Sequence, residues 1–373
     1  MSENVTVTSN GSRPAAEPAE PVAPAEPVAP SEPATPSEPA TPVDMSHTGT
    51  WRTEMWRTGM RRARAWRAGM WRRGRIVAAV AVLCALVMAF NTRVPNGVGN
   101  LGSLLQTVLP WMGLSVLALM AAAVARRSAL AAVAVLVPAV TWCSLFAGVF
   151  LDKRSSGGDL VVVGHNVHEE NRDPRGTARA LAASGADVVA LEELSRPAVS
   201  TYERELAPTY RYSAVREGVG VWSKHPLKAV RPVDIMPWTR ALRATVDTPK
   251  GPVALYVAHL ASVRVMPTSG FTTERRNASA GKLADAVRAE RLARVVVAGD
   301  FNGAAEDSAL DPLTRQLRST QRDAGAGFGF TWPASFPVVR LDQIMVKGMT
   351  PVSSWTLPAT GSDHLPVAAS LRW

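Results

Sequence analysis

In the second half of the chain, acids, amides and histidines stand at the ends of short apolar runs. DLVVVG leads into His165 and Asn166, DVVAL into Glu192 and Glu193, VALYVA into His259, and RVVVAG into Asp300 and Asn302. Asp342 sits inside LDQIMV, and Asp363 and His364 stand side by side before the last run, PVAASL. Singly, each has a bland explanation: a turn amide, a solvated helix start, a satisfied core histidine. Together they point to one rim, because polar side chains at the ends of packed strands converge. Carboxylates beside imidazoles can move protons, and carboxylates with amides offer oxygen ligands to a hard cation.

The elements that must position them are legible as short β-type runs with helices between. Strands are expected over 159–164, 187–191, 218–222, 253–258, 294–298, 341–346 and 366–371, and helices over 175–183, 197–206 and 275–293. The last helix places its apolar residues at three-and-four spacing. A mixture of this kind over residues 159–373 suits one α/β domain with two packed sheets. The region holds no cysteine, since Cys84 and Cys143 both lie in earlier apolar runs, so neither a disulfide framework nor a Cys-based zinc site is available to it.

HNVH, DVVALEEL, VGVWSKHPL, YVAHL, VVAGDFNGA, RLDQIMV and GSDHLP occur in an order and spacing that resemble the endonuclease/exonuclease/phosphatase superfamily. Its members include enzymes similar to pancreatic DNase, inositol-polyphosphate phosphatases and sphingomyelinases. The resemblance covers residues 159–373 and implies an α/β fold, a four-layer α/β/β/α sandwich with its site at one end. It implies metal-dependent hydrolysis of a phosphoester, with Mg²⁺ or Mn²⁺ offsetting the phosphate charge. Glu193 then aligns with the main metal ligand, helped by Asn166, with Asp363 near the metal. His364 would sit beside the attacking water or a phosphate oxygen, its ring oriented and made more basic by Asp342. Asp300 would position or deprotonate the water, Asn302 would hold a non-bridging oxygen, and His259 would donate to the phosphate or leaving group. Glu192 stands where the family often has Gln and is left outside the ligand set. One departure is His168, where relatives that cleave DNA at damaged bases commonly carry an acid. That leans away from their branch.

The first 158 residues are of another kind. Residues 1–50 are crowded with Pro, Ala and Glu and read as a disordered tail. Residues 51–75 carry nine Arg against one Glu, with Trp-Arg recurring four times, so much of the +10 net charge lies outside the catalytic region. Such a segment could stack on and pair with nucleic acid, but the apolar runs that follow favour an anionic membrane surface. Residues 76–151 contain no acid and three apolar runs, expected as three transmembrane helices: 76–90, 104–125 and 129–151. A cleaved signal peptide is the rival for the first run, and the long leader argues against it. The Arg-rich collar and Arg126-Arg127 place the N-terminus in the cytoplasm. Three spans and a short hinge, residues 152–158, then put the catalytic domain outside the cell membrane. A domain held that close to a bilayer favours a lipid-linked phosphate or pyrophosphate as substrate, with a cell-surface nuclease acting on nucleic acid as the alternative. The layout also resembles membrane proteins of the VanJ type, associated with glycopeptide resistance, which implies an undecaprenyl-linked pyrophosphate of cell-wall metabolism.

Overall fold

The computed structural model describes residues 50–97, 99–266 and 270–373, so the expected tail lies outside the described residues up to residue 49. The chain divides after Met60, and the described part before that point opens helix α1 (Thr50–Arg72), which carries the Trp-Arg repeats. The apolar sequence forms α2 (Arg75–Ala89), α3 (Leu101–Val108), α4 (Met112–Ala125) and α5 (Ala129–Phe146). Two stretches, Leu101–Ala125 and Ala129–Phe150, are long and apolar enough to cross a membrane. The first of the three expected spans, 76–90, falls on α2, which is shorter than those two. The 15 residues of α2 extend about 22 Å, against a hydrocarbon core of about 30 Å.

Leu83, Leu86, Leu114, Leu117, Leu136 and Val140 are exposed on these helices, the reverse of what water selects. Only Gly fits at 74, because a Cβ there would strike Ser128. That contact gathers Arg73, Arg75, Arg126 and Arg127 at one end of the helices. At the other end α3 turns its polar side to the rest of the chain. Ser103 Oγ donates to Asp307 Oδ1 (3.1 Å), and Gln106 Oε1 accepts from the backbone N–H of Ser308 (2.9 Å). Trp111 donates to the carbonyl of Val338 and stacks on Phe330, which stacks on Phe328, which meets Phe146 of α5. Segment 152–158, expected as a hinge, is hydrogen-bonded from Ser155 to the carbonyl of Val352.

The remaining elements are β1 (Leu160–Asn166), α6 (Pro174–Ala183), β2 (Val188–Glu192), α7 (Arg196–Leu206), β3 (Tyr212–Arg216), β4 (Val219–Ser223) and β5 (Leu227–Pro232). Then come β6 (Ala241–Thr248), β7 (Gly251–Ala258), β8 (Arg264–Met266), β9 (Gly270–Thr272), α8 (Glu274–Arg288), β10 (Val295–Asp300) and α9 (Asp311–Thr314). β11 (Arg318–Ser319), α10 (Thr320–Ala324), β12 (Asp342–Lys347), β13 (Thr350–Thr356) and β14 (Val367–Arg372) complete the chain. One sheet runs β13-β14-β1-β2-β4-β3 and the other β11-β12-β10-β7-β6-β5, with a small β8-β9 hairpin. Both large sheets are mixed: β1 and β2 are parallel, as are β10 and β7, while their other pairings are antiparallel.

Alternation along each strand builds the layers. Val162, Val188, Ala190, Leu255, Val257, Val296, Ala298, Ile344 and Val346 fill the space between the two sheets. The opposite faces bury Leu181 and Leu206 of α6 and α7 on the first sheet, and Leu283 and Val287 of α8 on the second. The same alternation continues the inner stripe into Asn166, Glu192, His259, Asp300 and Asp342 at one end of the sandwich. The strand pattern that makes the core therefore also aims the polar residues.

Candidate active site

Register brings the polar ends level. Asn166 pairs with Glu192 across β1 and β2, and Asp300 with Asp342 across β10 and β12. Gly299, just before Asp300, has φ +154° and no room for a Cβ, which would collide with the carbonyl of Ala258. The residue before Asp300 is thus fixed as Gly by the close approach of β7. The GSDHLP loop is tied to β1 because Ser362 Oγ donates to the carbonyl of Asn166 (2.7 Å) and accepts from the N–H of His364 (3.0 Å).

His364 and Asp342 form the expected dyad, with Nδ1 2.7 Å from Oδ2 and both residues buried. Burial opposes a charged imidazole, but Asp342, through charge and hydrogen bond, outweighs it, with help from Asp300 and Asp363, and raises the ring to about 10. Its Nε2 lies 4.0 Å from Asp300 Oδ2. Asp300 is itself pushed up to about 7 by burial and by Asp342, against the pull of His364, the Asn302 N–H and the Asn166 amide. Asn166 and Asn302 each donate a side-chain N–H to Asp300 Oδ2 at 3.1 Å. Asn302 has φ 45°, a left-handed conformation that Asn tolerates. It lets the backbone N–H of Asn302 reach Asp300 Oδ1 at 2.8 Å.

The remaining expected residues stand at the mouth. Glu193 has φ 55° and His168 φ 63°, conformations that cost bulky residues about 1–3 kcal/mol and mark functional turns. His168 Nδ1 lies 3.3 Å from Asp363 Oδ1 and 3.8 Å from Glu193 Oε2. Asp363 Oδ2 also accepts from the Trp332 indole (3.1 Å). His259 Nε2 lies 3.4 Å from Glu193 Oε1 and 3.7 Å from Asp300 Oδ2. That nitrogen accepts an N–H from Arg240 at 3.0 Å, and burial, with Arg240 and His364 nearby, holds His259 well below its ordinary value. An accepting Nε2 does not suit the donor role expected of His259. Arg240, which no strand-end pattern reveals, carries the N–H groups at the cavity of about 240 Å³ lined by Glu193, Trp238, Arg240 and His259.

Beside Glu193, Asn166 and Asp363, the expected ligands, stands a second group of acids and imidazole. Among the described residues, Asp300, Asp342 and His364 bring their ligand atoms within 4.8 Å of one another. Glu192, left outside the ligand set on sequence, is fully buried, and neither of its oxygens has a hydrogen-bond partner among the described residues. The same is true of Asp342 Oδ1. Burial, then Asp342, Asp300 and Glu193, raise Glu192 well above the carboxylate range. Orphaned carboxylate oxygens gathered at one buried end are a donor set that fits a hard divalent cation. Alternation could have exposed Glu192, since it continues the inward series of Val188 and Ala190.

The model of the Endonuclease/Exonuclease/phosphatase family matches residues 163–364. Among solved structures, the chain is similar to D. rerio TDP2 complexed with single strand DNA product, at 21% identity and a TM-score of 0.47, covering 57% of this chain and 99% of that one. It is similar to a mutant beta toxin from Staphylococcus aureus with bound magnesium ions, at 15% identity and a TM-score of 0.43, covering 57% and 99%. An endonuclease/exonuclease/phosphatase family protein from Leptotrichia buccalis gives 17% identity and a TM-score of 0.45, covering 58% and 100%. No curated protein matches.

Proposed function

The chain belongs to the endonuclease/exonuclease/phosphatase family, and we propose that it is a membrane-anchored, metal-dependent phosphoesterase that hydrolyses a lipid-linked phosphate or pyrophosphate of the undecaprenyl type. The observation that carries the lipid reading is the seam between α3 and the catalytic domain. Ser103 and Gln106 hold Asp307 and Ser308, so the loop that follows Asn302 is fixed to the helix that begins the apolar stretch Leu101–Ala125. A bilayer substrate is concentrated there and a free polynucleotide is not. In this reading α2 crosses with α4 and α5, packed against them and exposing Ile76, Leu83 and Leu86. The arginines at the Gly74 end face the cytoplasm, and the catalytic domain faces outward. A reporter fused after Trp373 that is active only in the cytoplasm would contradict this orientation.

Glu193 and Asn166 would hold the cation, with the unpartnered oxygens of Glu192 behind them and Asp363 at the mouth. When bound, Mg²⁺ or Mn²⁺ supplies the positive charge that offsets a phosphate. Asp300, poised near 7, accepts the proton of the attacking water, while Asn166 and Asn302 fix the carboxylate that receives it. His364 holds its proton at neutral pH, so its Nε2–H serves as donor to a phosphate oxygen rather than as base. Asp342 fixes the ring that makes this donation. Arg240 takes the donor role at the leaving side, with His259 steadying its guanidinium.

Phosphate release by purified full-length protein in detergent, from undecaprenyl pyrophosphate and from DNA, tests the proposal. Release from the lipid is expected, at least ten-fold faster per mole of protein than cleavage of DNA. Equal or faster cleavage of DNA would establish the nuclease reading instead.

A further inference from the structure

Beside the catalytic cavity lies a second, of about 470 Å³, lined by Met236, Trp238, Arg240, Arg264, Glu274 and Arg275 among others. The two cavities share Trp238 and Arg240 in their linings, so this second groove adjoins the catalytic cavity at these side chains. Among the described residues, neither Arg264 nor Arg275 has an ion pair or a side-chain hydrogen bond, and both are exposed. The acid in the same lining, Glu274, accepts from the Asn100 amide at 2.9 Å, which favours its charged form. Three guanidinium groups line the concavity against that one carboxylate, an excess of positive charge that suits a phosphate. The groove also has a direction. Its β8-β9 wall is fixed to the start of α3 by the Phe271 N–H, which donates to the carbonyl of Gly99 (3.0 Å). Exposed Leu101 and Leu104 follow immediately on α3, and Met266 and Trp238 are exposed beside the arginines.

We infer that Arg240, Arg264 and Arg275 form a subsite for the non-reacting phosphate of a diphosphate whose apolar tail leaves toward α3. This rests on the phosphoesterase reading of the adjoining site and narrows its substrate to diphosphates. Water oxygen bonds to the distal phosphorus and its proton passes to Asp300. The bond from that phosphorus to the bridging oxygen breaks, and the bridging oxygen keeps the electron pair. Inorganic phosphate leaves, and the lipid monophosphate remains in the arginine groove. A polynucleotide is the poorer occupant, because across the catalytic cavity Glu169 and Glu217 outnumber Arg196 on the wall. A chain running through both cavities would meet like charge.

The test compares wild-type protein with Arg264→Glu/Arg275→Glu, and with Arg264→Gln/Arg275→Gln as the milder pair, after equal thermal midpoints confirm folding. Calorimetry with methylenediphosphonate and with inorganic phosphate, at fixed salt and Mg²⁺, gives the affinities. The wild type should bind the diphosphonate more tightly than phosphate. Both pairs should weaken the diphosphonate by about 10–100-fold, the loss of charge-assisted contacts, and weaken phosphate far less. The ratio of kcat/KM for farnesyl diphosphate over farnesyl monophosphate should fall with it. Equal losses for both ligands, no loss, or a larger loss for a single-stranded oligonucleotide would overturn the subsite. If the arginines govern diphosphonate binding but no lipid phosphate is released, the subsite stands and the hydrolytic reading falls. If phosphate is released and the variants change nothing, the reverse holds.

Discussion

Two buried polar clusters in this chain are built in opposite ways. Where α3 docks, Asp307 has partners for both oxygens: Arg276 at 2.6 Å on one, and Ser103 at 3.1 Å with the Ala309 N–H at 2.9 Å on the other. At the strand ends, among the described residues, Glu192 has partners for neither oxygen and Asp342 for only one, while Asp300 is held at about 7. In the first cluster both carboxylate oxygens are satisfied, with Arg276 Nη1 left unpartnered among the described residues, and the cluster joins two parts of the molecule. The second is charge-crowded, and crowding of that sort clusters at functional sites. Removing a charge should therefore have opposite consequences in the two places.

The largest effect is expected at the dyad. His364→Ala should lower turnover by about 10³-fold or more per folded molecule, by analogy with residues that act as a unit. Asp342→Asn should cost less, and the double variant scarcely more than His364→Ala alone. Near-normal turnover of folded His364→Ala would sink the proposed roles. At the seam the loss should appear in stability instead. Asp307→Ala strands a buried Arg276, which costs about 3–5 kcal/mol, with turnover per folded molecule retained. Denaturant midpoints set against specific activity would show this, and a folded variant of unchanged stability would break the contrast.

Smaller effects sharpen the comparison. The protonated His364–Asp342 pair has a folded-state value raised to about 10. Its stabilisation is fully present below about 6.5, the ordinary imidazole value, and is lost as pH rises through about 10. Between pH 8 and 10.5 the thermal midpoint of the wild type should thus fall more steeply than that of His364→Asn. Parallel curves would show that the pair is not charged as described. Smallest is Glu192→Gln, which removes a crowded buried acid while keeping its shape. It should stabilise the protein in EDTA at pH 8 by about 1 kcal/mol. Destabilisation there would mean that Glu192 has partners this account does not recognise.

What the sequence could show follows the same division. Strands with an unbroken apolar run, such as Val295–Asp300 and Leu160–Asn166, are readable to within a residue or two, and with them the polar residues at their ends. Strands β5 (LKAVRP) and β6 (ALRATVDT) intersperse charges, and β13 (TPVSSWT) is largely polar, so no hydrophobic run announces them. Their pairing partners supply the order. The docking face of α3 is hidden for a different reason. Ser103 and Gln106 sit in a run that reads as the start of a span, and their partners lie about two hundred residues away. Arg240 escapes notice because it precedes β6 and meets His259 only through the β6-β7 pairing.

The central claim is that the charge-crowded strand ends are a metal-dependent phosphoesterase centre, and one titration addresses it most directly. Full-length protein in EDTA is titrated with Mg²⁺ at pH 8 while thermal midpoint and phosphate release are followed together, for the wild type and Glu193→Gln. Both signals should rise with Mg²⁺ in the wild type, and far more Mg²⁺ should be needed in the variant. Full turnover in the chelator, or a midpoint that ignores Mg²⁺ in both proteins, would contradict the account.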